Sequence, residues 1–233
     1  MTIGYSDRIN HALAYATKHH DQQVRRGTRS PYLTRHANVA VILARYGGDE
    51  DTVVAGILHD VVGDGMRGGM SRESLIGRVG EKFGGDALDL ALAVSERRAD
   101  EDGVELSADE RREDLLERLA EAPERARWVV AADTLHEAGT LLAELRRTEF
   151  PESVWGRGPR DQGLEWLRKV YDRLTEVGFA GPIMIGLRAL VVELVRHWRD
   201  GRLKMLVTWR GLRARRAEPD LFLRGDYLPL EPS

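Results

Sequence analysis

The sequence contains no cysteine and no apolar run of the ~20 residues that a membrane-spanning helix needs. The absence of cysteine excludes disulfide scaffolds, thiolate-bound zinc or iron–sulfur sites, and thiol catalysis. An excess of one charge is also missing, because 35 basic residues stand against 38 acidic ones and give a formal net charge of -3. This balance disfavours nucleic acid as a partner. The first residues lack the apolar core of a signal peptide, so we expect a soluble, cytoplasmic protein with no membrane partner.

Apolar residues recur with helical spacing along most of the chain, and no sustained alternating strand pattern is present. Ser6 and Ser71 precede helical patterns as suitable N-caps, and Ser107 with Glu110 fits a capping box. The pairs Gly47-Gly48 and Gly84-Gly85 are typical of helix ends. The predicted class is therefore all-α. Its early helices cover residues 6–20, 39–46 and 52–62, and the third is apolar nearly all round.

A boundary is predicted at residues 178–182, where glycine and proline interrupt the helical pattern. It separates a main domain, residues 1–180, from a C-terminal helical extension and tail, residues 181–233. The stretch 196–216 of this extension is basic and rich in apolar residues. We favour packing against the acidic body of the chain or against a second subunit, the latter of which would give a homo-oligomer, over binding of nucleic acid or anionic lipid.

Two histidines and two carboxylates stand at the edges of predicted buried helices: His36, His59, Asp60 and Asp133. A buried charge is costly unless it is paired or bound to a metal. Nitrogen and oxygen ligands suit Mn²⁺, Fe²⁺ or Zn²⁺, and such an ion would lower the pKa of a water and supply a nucleophile. The structural alternative is a hydrogen-bonded histidine beside an ion-paired aspartate, and each residue taken alone favours that alternative.

Three segments together resemble a known family: RRGTRSPYLTRHANVAVILARYGG, VVAGILHDVVGD and VVAADTLHEA. Their order and spacing over about residues 6–177 resemble the HD superfamily of metal-dependent phosphohydrolases. The similarity is greatest to the hydrolase domain of RelA/SpoT enzymes and their small stand-alone homologues. The resemblance implies an all-α HD-domain bundle that removes pyrophosphate from the 3′ position of (p)ppGpp with Mn²⁺.

The resemblance also implies roles for individual residues. His59, Asp60 and Asp133 match metal ligands, and His59 and Asp60 belong with Asp64 to the catalytic group, in which Asp64 would orient the attacking water. The first metal histidine of the family falls on Arg35, whereas His36 lies one residue later, a helical rotation of about 100°. A shifted helix start would bring His36 into the ligand position, so both alternatives stay open.

The substrate side departs from the family more strongly. Arg25 matches an arginine of the family's substrate loop, and Arg26 beside it is a second candidate for phosphate contacts. Gly63 stands where the family has an acidic residue, Thr134 where it has lysine, and Glu137 where it has asparagine. Loss of a general acid or base typically costs about 10²–10⁴ in rate, and the charge of Glu137 would repel a polyphosphate.

Two functions therefore remain as hypotheses. The first is a metal-dependent phosphohydrolase, with Mn²⁺ as its ion and a phosphorylated nucleotide as its substrate, acting like a guanosine 3′,5′-bis(diphosphate) 3′-pyrophosphohydrolase. The second is a catalytically degenerate HD domain that serves as a nucleotide-binding or protein-interaction module.

Overall fold

The computed structural model describes residues 5–21, 23–24, 30–63, 71–100, 102–147, 160–198 and 216. Within these ranges the chain forms nine helices and no strand, which confirms the all-α class. None of the described helices is both long and apolar enough to cross a membrane. The helices are α1 (Asp7–His19), α2 (Leu33–Arg45), α3 (Glu50–Gly63), α4 (Arg72–Phe83), α5 (Gly85–Val94), α6 (Ala108–Glu121), α7 (Glu124–Arg147), α8 (Arg160–Glu176) and α9 (Ile183–Trp198).

Helix α3 forms the centre of the bundle and packs against α1, α2, α5 and α7. Every residue from Thr52 to His59 is buried, as its nearly uniform apolar sequence predicts. The helix begins where the Asp49 carboxylate accepts a hydrogen bond from the Thr52 backbone N–H at 2.9 Å. This central position places the side chains at its C-terminal end, His59 and Asp60, between neighbouring helices.

The predicted helix starts are confirmed at three serine caps. Ser6 and Ser71 accept hydrogen bonds from the backbone N–H groups of Ile9 and Ser74, and Ser107 with Glu110 forms the complete capping box. The start of α2 was predicted wrongly, because the helix begins at Leu33 rather than at Val39. Its first turn is polar and lacks the apolar spacing on which the prediction rested. Arg35 and His36 consequently lie inside a helix.

Close packing of α2 on α3 depends on Gly56. A Cβ atom at this position would collide with Leu43 Cδ1 and lie 3.1 Å from Val39 Cγ1. We expect Gly56→Ala to lower the free energy of unfolding by about 2 kcal/mol, because the two helices must separate or repack. The matched control is Gly77→Ala on α4, where a Cβ would meet nothing within 4 Å and helix propensity favours alanine. Urea denaturation of both variants measures the difference, and an equal response would contradict the packing argument.

The chain divides into two compact units, residues 1–192 and 193–233. The first unit contains α1 to α8 and the first part of α9. Of the second unit the structure describes only residues 193–198 and 216. Most of the basic stretch 196–216 therefore lies outside the described residues, and its predicted packing role and homo-oligomer stay predictions, as does the boundary between residues 180 and 181.

Candidate metal and nucleotide site

Three helices bring the predicted site residues together. Helix α2 supplies Arg35 and His36, α3 supplies His59 and Asp60, and α7 contributes the third group: Asp133, Thr134 and Glu137. Because α2 and α3 both pack against α7, residues far apart in sequence meet at one place. The meeting point lies at the C-terminal end of α3, as the sequence predicted for the HD pair.

Arg35 occupies the centre of this site. Its Nε and Nη2 atoms donate to Asp133 Oδ1 and Oδ2 at 2.7 and 2.5 Å, a bidentate ion pair. Nε also lies 3.6 Å from Asp60 Oδ2, so one guanidinium reaches both carboxylates. Tyr32 completes the arrangement, because its hydroxyl accepts from Arg35 Nη1 at 3.3 Å and donates to Asp60 Oδ2 at 3.1 Å.

The charges of these groups stabilise one another. Burial alone would raise the pKa of Asp60 and of Asp133, but the Arg35 guanidinium outweighs it and holds both pKa values below the usual range. Burial would lower the pKa of Arg35, yet the two carboxylates hold it well above its ordinary value. Burial and the charge of Asp60 raise the pKa of Tyr32, so its hydroxyl keeps the proton that it donates. The cluster is therefore a carboxylate–guanidinium–carboxylate arrangement at neutral pH.

The two predicted histidine ligands are buried. His59 Nδ1 donates to the Gly56 carbonyl at 2.9 Å, and His59 Nε2 lies 3.3 Å from Asp60 Oδ1. His36 is fully buried, and neither of its ring nitrogens has a hydrogen-bond partner. Burial lowers the pKa of His36 to about 3, so the ring is uncharged. It stacks on His20 at 4.6 Å between ring centroids and stands 6.3 Å from the His59 ring.

These donors fit a divalent ion in their chemistry but not in their present arrangement. Buried nitrogens without partners on His36 and His59 are typical of metal ligands, since such groups otherwise need a hydrogen bond. However, no three histidine, aspartate or glutamate side chains among the described residues are grouped so that they could hold an ion. The four predicted ligands His36, His59, Asp60 and Asp133 therefore do not form an assembled ion site. Arg35 contacts both carboxylates, and His36 is the next residue of the same helix.

A small cavity of about 40 Å³ adjoins the cluster. Its polar lining comes from His59, Asp133, Thr134 and Glu137, and Trp166 of α8 with valine and leucine side chains of α5 to α8 forms its apolar part. Two of the predicted substrate residues, Thr134 and Glu137, thus stand beside two of the predicted metal residues, His59 and Asp133. Ligand pockets usually have volumes of about 300–1,000 Å³, so a nucleotide requires this cavity to widen.

Thr134 and Gly63 differ from the residues that the family has at these positions, and the structure describes the contacts around both. The Thr134 hydroxyl donates to the Val130 carbonyl at 2.7 Å, which leaves it no proton to donate to a ligand. Gly63 is buried, and a Cβ there would lie 3.4 Å from the Glu96 backbone nitrogen, an ordinary contact distance. Arg25, Arg26 and Asp64 lie outside the described residues, so their predicted roles stay predictions.

Two residues of the cluster were missed from the sequence. Tyr32 bonds both Arg35 and Asp60, and the signal for it was its position three residues before Arg35, one helical turn away. His20 was not among the residues predicted for the site. Its contact with His36 joins the end of α1 to α2, and no spacing within one helix predicts such a contact.

Comparison with known proteins gives one family. Residues 12–152 match the HD domain family. Probable GTP diphosphokinase RSH2, chloroplastic, of Arabidopsis thaliana is 34% identical over 139 residues, which are 57% of this chain and 18% of that protein. Guanosine-3′,5′-bis(diphosphate) 3′-pyrophosphohydrolase of Aquifex aeolicus (strain VF5) is 37% identical over 60 residues, 26% of this chain and 8% of that protein. The matched region thus spans a fifth or less of these relatives' length.

A solved structure gives broader coverage. It belongs to a metazoan ortholog of SpoT that hydrolyzes ppGpp and plays a role in starvation responses. The TM-score is 0.62 and the sequence identity 27%, and the similarity covers 81% of this chain and 96% of that one. The structural similarity therefore includes most of this chain and nearly all of the other chain.

Proposed function

The chain belongs to the HD domain family, and on that premise we propose that it is a metal-dependent phosphohydrolase acting on a phosphorylated nucleotide, with (p)ppGpp as the first substrate to test. The observation that carries this proposal is that His59 and Asp133 line one cavity with Thr134 and Glu137, while Arg35 joins Asp133 to Asp60. Similarity to a guanosine-3′,5′-bis(diphosphate) 3′-pyrophosphohydrolase and to a SpoT ortholog that hydrolyzes ppGpp supports the choice of substrate.

The residues that would hold the ion are His59, Asp60 and Asp133, with His36 as the fourth candidate. When bound, a divalent ion polarises a phosphoryl oxygen and makes water a stronger nucleophile at neutral pH. The hydrogen bond from His59 Nδ1 to the Gly56 carbonyl orients the ring so that Nε2 would be the nitrogen that binds the ion. Tyr32 orients the Asp60 carboxylate through its hydroxyl. The apolar side chains around the cavity exclude bulk water and strengthen charge interactions there.

Charge at the cavity limits the substrate. Glu137 contributes a carboxylate where the family resemblance places an asparagine near the substrate. A second negative charge beside Asp133 weakens binding of a polyphosphate. We therefore expect weaker affinity for (p)ppGpp than a site with the neutral residue would have. The proposal includes Mn²⁺ as the first ion to test. It also includes a cytoplasmic location and a homo-oligomer.

A second candidate function is a non-hydrolysing HD domain that binds a nucleotide or a protein partner. The bidentate ion pair between Arg35 and Asp133 favours it, because both oxygens of a predicted metal ligand are already engaged. Gly63 favours it as well, since this position offers no acidic group to handle protons.

Release of pyrophosphate from ppGpp separates the two candidates. The parent protein, His59→Asn and His11→Gln are incubated with ppGpp and Mn²⁺, and the products are separated by anion exchange. His11 is an exposed histidine of α1 and serves as the matched control. The hydrolase predicts GDP and pyrophosphate with the parent and His11→Gln, and none with His59→Asn or with a chelator. Saturable binding of ppGpp without product would instead support the second candidate.

A further inference from the structure

We propose that Arg35 is a tethered cation that takes the place of the divalent ion between Asp60 and Asp133, so that an ion binds only by displacing it. This inference rests on the proposed function for the identity of the ion site. It concerns a contact within the chain, and it predicts an ion affinity that is set by one arginine.

The geometry leaves the guanidinium and an ion competing for the same atoms. Both Asp133 oxygens accept from Arg35, at 2.7 and 2.5 Å, and Asp60 Oδ2 lies 3.6 Å from Nε. A metal ligand must offer oxygen lone pairs to the ion, and at Asp133 the guanidinium takes one lone pair of each oxygen and places its own positive charge beside them. Arginine cannot lose its proton in a protein, so it leaves these oxygens only by moving away.

Packing around Arg35 holds it in this position. Its Nη1 atom donates to Tyr32 Oη at 3.3 Å, so three of its five N–H groups are engaged. Tyr32 is in turn fixed by its bond to Asp60. Displacement of Arg35 therefore breaks the bidentate pair and one further hydrogen bond, and this loss reduces the affinity for an ion.

The remaining donors are not contested. His59 Nε2 and both nitrogens of His36 are buried and have no hydrogen-bond partner. Of these nitrogens, His59 Nε2 lies 3.3 Å from Asp60 Oδ1, and the centroid of the His36 ring lies 6.3 Å from that of the His59 ring. The nitrogen part of an ion site is thus present while its carboxylate part is bound by an internal cation. Removal of the cation from the carboxylates should therefore be enough to raise ion affinity.

Calorimetric titration with Mn²⁺ alone, on protein freed of nucleotide and metal, tests this inference. We compare the parent with Arg35→His, Arg35→Ala and the control Arg45→Ala, an exposed arginine at the end of the same helix. Arg35→His removes the cation and offers another imidazole, so we expect Mn²⁺ to bind at least tenfold tighter than to the parent. Arg35→Ala should show a smaller gain, and Arg45→Ala none. Equal affinity of the parent and both Arg35 variants would overturn the proposal.

A second measurement uses the unmodified chain, because an Arg35 variant that fails to fold would give no affinity. The ¹⁵N signal of the Arg35 Nε–H group is followed by NMR while diamagnetic Zn²⁺ is added. Displacement predicts that this signal moves while that of Arg127, whose guanidinium bonds backbone carbonyls, stays in place. Saturable Zn²⁺ binding, lost in His59→Asn, with an unchanged Arg35 signal would overturn the proposal.

These outcomes are separate from the fate of the proposed function. Tight Mn²⁺ binding by Arg35→His without pyrophosphate release from ppGpp would leave the inference standing and reject the hydrolase. If the parent hydrolysed ppGpp and Arg35→Ala left the affinity for Mn²⁺ unchanged, the hydrolase would stand and the inference about Arg35 would be rejected.

Discussion

Asp133→Ala should lower the free energy of unfolding by about 3 kcal/mol in metal-free protein. The substitution leaves the Arg35 guanidinium, whose side chain is 28% exposed, without its bidentate partner and with Asp60 alone. The estimate lies at the low end for a buried ion pair because both side chains keep some contact with water. Urea denaturation in the presence of a chelator measures the change. A loss below about 1 kcal/mol would show that the pair is worth no more than a surface ion pair.

A double-mutant cycle assigns this loss to the ion pair itself. The cycle compares Asp133→Ala, Arg35→Met and the double variant that carries both. The double variant removes both charges but leaves Asp60 with only Tyr32 and His59 beside it, so it should recover part of the stability that Asp133→Ala loses. The matched control is Asp172→Ala, which breaks a mainly exposed pair with Arg168 and should change stability by about 0.5 kcal/mol or less. If the stability losses of the single Arg35 and Asp133 substitutions simply added up in the double variant, Arg35 and Asp133 would not stabilise each other.

Much of the fold follows from local sequence signals. The apolar run of α3, the serine caps of α1, α4 and α6, and the Gly47 helix end all act within a few residues of their own position. Such signals can be read from spacing alone. The start of α2 could not be predicted from spacing, because its polar first turn is held by contacts with other helices. Arg35 bonds Asp133 there, 98 positions further along the chain.

The candidate site was predictable in its composition but not in its pairing. The sequence placed His59, Asp60 and Asp133 at buried helix edges, and it left open whether Arg35 or His36 occupies the first ligand position. That question depends on the rotation of α2 against α3 and α7, which long-range packing sets. The cavity beside Thr134 depends likewise on Trp166 of α8, a distant helix that no motif connects with the HD pair.

Restoring the family's residues at four positions should produce strong ppGpp hydrolysis. The variant combines Arg35→His, Gly63→Glu, Thr134→Lys and Glu137→Asn. Arg35→His frees the carboxylates for an ion, and Gly63→Glu supplies an acidic group. Thr134→Lys and Glu137→Asn make the lining of the cavity less negative by two charges, so that the four changes together leave the net charge unchanged. The acidic group alone contributes about 10²–10⁴ in rate where it serves as a general acid or base, so we expect pyrophosphate release at least about a hundredfold faster than with the parent.

Room for these side chains differs among the positions. A Cβ at residue 63 meets the Glu96 backbone at 3.4 Å, so the first side-chain atom of a glutamate fits there without a backbone clash. Thr134 is 5% exposed and lines the cavity, so a lysine there must extend into the cavity. The circular dichroism spectrum and thermal midpoint of the variant establish that it folds before its activity is compared.

Two further proteins make the result interpretable. The fourfold variant that also carries Asp133→Asn should bind Mn²⁺ weakly and release no pyrophosphate, because a carboxylate ligand is lost. The variant with Gly63→Glu, Thr134→Lys and Glu137→Asn but the native Arg35 should remain slow, because the guanidinium still occupies Asp60 and Asp133. If this threefold variant were as fast as the fourfold one, Arg35 would not be the obstacle to catalysis. A folded fourfold variant that binds Mn²⁺ tightly and stays inactive would place the missing chemistry elsewhere in the chain.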